Sequence, residues 1–543
     1  MMIKLEIQER DGYLIMDDFP ENCIFNKVKT GCGATTIALT NNENYIIAVP
    51  TTELVINKCY PPKDKDGKDI TWKKSQIQAG VSPTNDRLFG LYDKLNRTVK
   101  AKLSKFLKQD GVKKIICTYD KVDKLIDLIN PLEFKILVDE YHNLLKQYGF
   151  RTMVINQIME KFKCFKSHCF LTATPIPERF KPDIFAEMEE YVANWKTVDK
   201  ITVYPYPCKN ASTTAAKIIK HYQDIGYFVL DGIKSEEAYF FVNSVREIKE
   251  ILKQCKLTND DCRIICADDE LNHYKLEGFE ISNSTAPAKR FTFVTCKAFE
   301  GVDYYSETAI CFIVSNGYNK HTLISIDMDI PQIAGRIRTK SNPFRNKIVH
   351  IFNPKAMNYY LPFDVMKESI EDELATACRR AEQLNKETDI KILKQQDKEF
   401  ERLGVHTYII KKGGRYEVND MVAQLKLYQH WTTNIIYRSS EALQEAYKKL
   451  GIVINQGYEW DIADEDIMKN ILASPQFRDY HKRFCDLKSK EGMLSDSEEQ
   501  ELETISTKYP ILVEGYSKLG VNTLRRLRTR KAINAALEEL EER

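Results

Sequence analysis

Apolar and polar positions fall into two textures along this chain, and the change comes near residue 356. Before it, short continuous apolar runs recur at 45–49, 115–118, 136–138 and 170–172. They lack period-2 alternation, which predicts strands buried on both faces, as in parallel sheets covered by helices. Residues 24–28 read as a shorter strand of the same set, and 1–20 as a short β-rich lead-in. A second set opens at 201–205 and continues through 293–295 and 348–352. The pattern predicts an α/β protein of two tandem parallel-sheet domains, 1–198 and 199–355.

After 356 long charged helical patterns take over, at 365–402 and 494–507, predicting a mainly helical accessory region over 356–543. Within it, 405–418 reads as a hairpin with a Gly413-Gly414 turn and a basic tip flanked by Tyr408 and Tyr416. Such a tip is either a solvated surface turn or a grip and wedge for nucleic acid. The basic stretch 524–531, ahead of acidic 538–542, is equally a solvated helix or a phosphate contact. Residues 61–68 are polar with turn residues and predict a surface loop.

Composition narrows the classes. A chain of 543 residues is long enough for about three domains. With 80 basic against 78 acidic residues it is no polycation, so any affinity for nucleic acid must come from local patches. Fourteen scattered cysteines without a Cys-x-x-Cys pair suggest reduced core thiols rather than a disulfide framework or a zinc site; Cys262 and Cys266 read as buried strand residues. The absence of a secretory h-region and of a membrane-length apolar run leads us to expect an intracellular, cytoplasmic protein with no membrane partner.

The candidate chemistry begins at the 136–138 strand, which runs into Asp139-Glu140-Tyr141-His142. Carboxylates at the carboxyl end of a buried strand sit where open α/β sheets bind ligands. Asp139 can hold Mg2+ there, and Glu140 can deprotonate a water. About a hundred residues upstream, Lys29-Thr30-Gly31-Cys32-Gly33-Ala34-Thr35-Thr36 lies between a strand and a helix start, the order that points backbone N–H groups at phosphates. Ala34 stands where a P-loop carries lysine and Val28 where it normally carries glycine or alanine, while Thr35 keeps the magnesium-binding hydroxyl. Losing that ammonium removes a cation from the β/γ-phosphates. Either Lys29 curls back, or reaches across an interface, to replace it, or the site hydrolyses nucleotide poorly.

Further motifs follow in order: Pro50-Thr51, Thr118, Thr172-Ala173-Thr174-Pro175, residues 240–244, Thr295 through Gly301 to Asp303, and Gln332-Ile333-Ala334-Gly335-Arg336-Ile337-Arg338. The series resembles the superfamily 2 helicases of DExH type over about residues 20–355. The resemblance implies two RecA-like lobes. It places Lys29, Thr30, Gly31, Cys32, Gly33, Ala34, Thr35 and Thr36 around the phosphates of ATP or another NTP. Mg2+ would lie on Thr35 and Asp139, with Glu140 as base. His142, Thr172 and Thr174 would couple the site to lobe movement. Gly301 and Asp303 would touch nucleotide and nucleic-acid backbone. Pro50, Thr51, Thr118 and Thr295 would contact nucleic acid. Gln332, Arg336 and Arg338 would face the γ-phosphate from the second lobe, an arginine arriving only on closure.

The short Gln-x-x-Gly-Arg-x-Arg form, with Thr339 where a second arginine is usual, is similar to viral origin-binding helicases and makes Arg336 the safer finger. With the degenerate loop it suggests a phage or mobile-element replication protein in a bacterial host. No glutamine-centred adenine motif precedes residue 29, so the base is open. The resemblance implies an NTP-driven helicase or translocase acting on DNA rather than RNA, in replication, recombination or repair, alongside replication proteins. The alternatives are a nucleic-acid-binding replisome scaffold with a retired ATPase, motivated by Ala34, and a double-strand translocase that does not unwind. A lysine acting in trans would require at least a dimer.

Overall fold

The computed structural model describes residues 2–61, 70, 72–284, 286–355, 360–455, 477–490 and 494–541. Most of the polar segment at 61–68 lies outside these residues. Two parallel sheets flanked by helices dominate, the arrangement of two tandem RecA-like domains. In spatial order the first sheet runs Met2–Glu6, Glu189–Asn194, Cys23–Asn26, Ser167–Thr172, Lys135–Asp139, Tyr45–Val49, Lys114–Thr118, Leu88–Leu91. The continuous apolar runs become its centre: Tyr45–Val49, Lys114–Thr118 and Lys135–Asp139 are buried at every position. The second sheet runs Cys262–Ile265, Phe291–Val294, Ala238–Phe241, Ile310–Asn316, Lys347–Asn353, Thr202–Pro207, Val453–Ile454.

The chain divides into two compact units, 1–460 and 461–543, so the segment after 360 stays with the two sheets. The reason lies in the apolar faces of the segment after 360. Ile370, Ala377 and Ala381 of the Phe363–Lys386 helix, with Phe400, Tyr416, Met421, Val422 and Tyr428, close the first lobe's core. Ile436, Tyr437, Leu443, Tyr447 and Ile452 close the second lobe's core instead. The switch falls at a π-helical turn, Trp431–Ile436. Chain therefore passes between the lobes at about 195–201, returns between Asn353 and Phe363, and crosses again at 431–436.

The hairpin is present as Ile409–Lys412 against Arg415–Val418, with Lys411 paired to Asp397. In the second unit, 461–543, the described residues form four helices, Phe477–Lys488, Asp496–Lys508, Pro510–Arg526 and Arg530–Glu541, which enclose a small core including Phe484, Ile505, Leu512, Leu524 and Ile533. Its basic stretch is broken between helices at 527–529, and Arg525 pairs with Asp486. All fourteen cysteines are unpaired. No described helix is long and apolar enough to cross a membrane.

Candidate active site between the lobes

Three neighbouring strands of the first sheet, Cys23–Asn26, Ser167–Thr172 and Lys135–Asp139, deliver their carboxyl ends to one place. Just beyond the first, Gly31 (φ 66°) and Gly33 (φ 76°) turn the glycine loop into the Ala34–Thr40 helix. Val28 also has positive φ (61°), costly for a β-branched side chain, at the position where a P-loop normally carries glycine or alanine. The loop is pinned by Leu14 N–H donating to the Cys32 carbonyl. Burial pushes the Cys32 thiol pKa up.

Thr35 Oγ1 donates to Asp139 Oδ2 at 2.8 Å, joining the loop to the acidic strand end. Glu140 follows with φ 51°, a strained turn that swings its carboxylate towards the cleft. Glu140 Oε2 accepts from Thr172 Oγ1 at 3.0 Å and from Gln332 Nε2, across the cleft, at 2.9 Å. Gln332 Nε2 also reaches Thr174 Oγ1 at 3.2 Å. His142 Nδ1 contacts Thr172 Oγ1 at 2.8 Å, and its Nε2 contacts Glu300 Oε1 of the second lobe at 2.9 Å. Because Thr172 gives its one proton to Glu140, both imidazole nitrogens face acceptors.

The sequence-predicted residues divide accordingly. Thr35, Asp139, Glu140, His142, Thr172, Thr174 and Gln332 share one hydrogen-bonded network. Arg336 is fully buried and turned inward, donating to the carbonyls of Gln332 (2.8 Å) and Val302 (3.1 Å). Arg338, the less safe of the two by sequence, is the arginine on the loop. It pairs with Asp303 at 2.6 Å, and its guanidinium lies against Gly31. Asp303 is held below the usual carboxylate range because the Arg338 and Arg336 charges outweigh burial. Gly301 packs on Leu54 of the first lobe.

Lys29, expected to curl back on the phosphates, is held elsewhere, 3.8 Å from Glu9 and 4.2 Å above the Trp195 ring. Thr30 faces Gly335 across the cleft, Thr36 is exposed, and Ala34 is buried. Of the expected nucleic-acid contacts, Thr118 and Thr295 are buried, Pro50 is buried with its carbonyl taken by Arg151, and Thr51 caps the Thr52–Cys59 helix.

Two groups in the site escape sequence reasoning. Lys27 Nζ lies 2.7 Å from Glu140 Oε1 and 3.4 Å from Asp139 Oδ1. Burial alone would lower its pKa, but the two carboxylates hold it above the ordinary lysine value. Glu300 is buried among His142, Asn143 and Lys146 of the first lobe, and Lys146 also pairs with Asp329. Burial would raise the Glu300 carboxyl; the His142 and Lys146 charges hold it well below its usual range instead. A signal for Glu300 was present in the apolar setting Ala298-Phe299-Glu300-Gly301-Val302, since a carboxylate there needs buried partners.

No protein-family model matches the chain, and no curated protein matches it. Solved structures similar to it include the DEAD-box helicase Mss116 bound to single-stranded RNA and UDP-BeF (13% identity, 80% of this chain, 87% of that one, TM-score 0.37). The DUF1998 helicase MrfA bound to DNA and AMPPNP matches at 11% identity over 73% of this chain and 57% of its own, TM-score 0.37. The ATP-dependent Type ISP restriction-modification enzyme LlaBIII bound to DNA matches at 11% over 96% and 38%, TM-score 0.37. At these values the likenesses fix no function for the chain.

Proposed function

We propose that the chain is a nucleoside triphosphatase of the superfamily 2 helicase kind, closing its two lobes on NTP to move along nucleic acid. One observation carries this: Thr35 meets Asp139 at the loop while Glu140, beside it, is bonded to Gln332 from the opposite lobe. The donor set of Thr35 hydroxyl and Asp139 carboxylate suits Mg2+, which takes few protein oxygens and leaves its other positions to water and phosphate. When bound, Mg2+ would neutralise charge on the β/γ-phosphates.

In this proposal Glu140 takes the proton of the attacking water, and Gln332 fixes both the carboxylate and the water. Arg338, at the loop, meets the phosphate charge on closure. The pocket lined by Tyr13, Ile15, Asp17, Thr36 and Asn41, continuous with Gly33, would receive the base. The His142–Glu300 contact would report hydrolysis to the second lobe. The nucleic acid would be DNA, and a phage or mobile-element replication role rests on the short Gln332-to-Arg338 motif alone. A retired-ATPase scaffold is favoured by Ala34 and by the distant Lys29.

ATP turnover with and without single-stranded DNA separates the two. The wild type should show DNA-stimulated hydrolysis, and Glu140→Gln should lower kcat by about 10²- to 10⁴-fold while binding ATP. No wild-type turnover with DNA or RNA would overturn the motor.

A further inference from the structure

We infer that Lys27, outside the glycine loop, supplies the ammonium that Ala34 removes: its Nζ leaves Glu140 for the β/γ-phosphates of bound NTP and frees the base as it goes. The inference deepens the nucleotide-site reading and rests on it. Three observations point there. Lys27 is a lysine at the carboxyl end of the Cys23–Asn26 strand, immediately before the loop, and only 5% exposed. Asp139 takes Lys27 on Oδ1 and Thr35 on Oδ2, so one carboxylate's width separates the ammonium from the hydroxyl that marks the phosphate end of the loop. The Cys32 thiol, inside the loop, also lies within its electrostatic reach.

The stem is anchored so that only the side chain need move. Lys27 N–H donates to the Thr172 carbonyl, and the Lys27 carbonyl accepts from Trp195 Nε1 at 2.8 Å. Val28, with its positive φ, then turns the chain, and Lys29 departs towards Glu9 and Trp195. The consequence for Glu140 is specific. Its Oε2 is occupied by Thr172 and Gln332, whereas Oε1 has Lys27 as its hydrogen-bond donor. The β/γ-phosphate oxygens of a bound triphosphate offer the ammonium charge-assisted hydrogen bonds in place of those from the two carboxylates. Transfer of Nζ would leave Oε1 open to a water only when nucleotide is in place. The bland alternative is that Lys27 merely neutralises a buried acidic pair.

The test is equilibrium binding of MgATP, MgADP and AMP by calorimetry to full-length wild type, Lys27→Ala, Glu140→Gln and the double variant, with Lys29→Ala beside them. Thermal melting checks that each is folded. Removing Lys27 alone leaves two unneutralised carboxylates that would repel nucleotide for either reason, so the double variant decides. If Lys27 binds phosphate, Lys27→Ala/Glu140→Gln stays about 30-fold or more weaker for MgATP than Glu140→Gln, and its preference for ATP over AMP collapses. Lys27→Arg, which keeps the charge, should recover part of that preference. Affinity in the double variant equal to that of Glu140→Gln would overturn the inference and leave Lys27 a counter-charge. A loss confined to Lys29→Ala would overturn it too. Wild type that binds no MgATP would overturn both this inference and the nucleotide site, whereas wild-type binding with indifferent Lys27 variants overturns the inference alone.

Discussion

Gly335 offers a way to wedge the lobes apart without disturbing either. It ends the Asp329–Ala334 helix at φ −82°, an ordinary backbone for alanine, so Gly335→Ala adds no backbone strain. The added Cβ, however, would lie 1.9 Å from Thr30 Oγ1 on the opposite lobe and 3.1 Å from Thr30 Cβ. Ordinary contact begins at 3.4 Å, so the hydroxyl is about 1.5 Å too close. Overpacking of this kind costs about 1–3 kcal/mol, here charged to the closed arrangement alone. That shifts the closure equilibrium by about 5- to 150-fold, which leaves about 3- to 80-fold less closed protein when closure is balanced near unity, with a matching fall in kcat/KM for DNA-stimulated ATP hydrolysis. Thermal unfolding should stay close to wild type. Thr30→Ala removes the atom at 1.9 Å and leaves only the milder 3.1 Å approach, so the double variant should regain most of the loss relative to Thr30→Ala alone. Wild-type kcat/KM in Gly335→Ala, or a defect equally large in the Thr30→Ala background, would refute the closed geometry as the working one.

Two further outcomes follow from side chains away from the cleft centre. Tyr13 lies against Gly33 and lines the pocket beside the loop, so Tyr13→Ala should weaken ADP binding by up to about 10-fold and leave pyrophosphate binding unchanged; equal losses for both ligands would remove the base from that pocket. His350 is fully buried between Ser315 and Tyr447, and burial lowers its pKa to about 3. The neighbouring phenols of Tyr437 and Tyr447 are kept neutral by burial. Since the folded pKa is depressed, the neutral ring's contribution is complete above about pH 6.5 and declines as pH falls from there towards 3, by up to about 1.4 kcal/mol per pH unit. Urea midpoints from pH 7 to 5 should therefore fall less steeply in His350→Gln than in wild type, and parallel profiles would assign the acid sensitivity elsewhere.

The strands were legible because burial on both faces writes itself as an unbroken apolar run, and 136–138 ends at Asp139 as its pattern implies. What the runs do not encode is lateral order. Glu189–Asn194, with mixed burial, slips between Met2–Glu6 and Cys23–Asn26, and Val453–Ile454 joins the second sheet with too few residues to show a period. Lys27 depends on that order, since only the adjacency of three strands brings a lysine from one end of the chain segment to carboxylates more than a hundred residues away. The segment after 360 was legible as helix but not as belonging to either lobe. An apolar stripe such as Ile370, Ala377 and Ala381 says that something is covered, not what.

The triple passage of chain between the lobes makes neither of them severable. A single proteolytic nick at 195–201 would leave 1–198 still clasped by Met421, Val422 and Tyr428 of the other fragment, which complete its interior. Nor can 1–198 be excised as a self-sufficient piece, because it would present that face bare. The same ties act as a mechanical linkage: bodies joined at one point can swivel freely, whereas each added tie removes a freedom of relative rotation. The π-helical turn at Trp431–Ile436 lies in one of these ties.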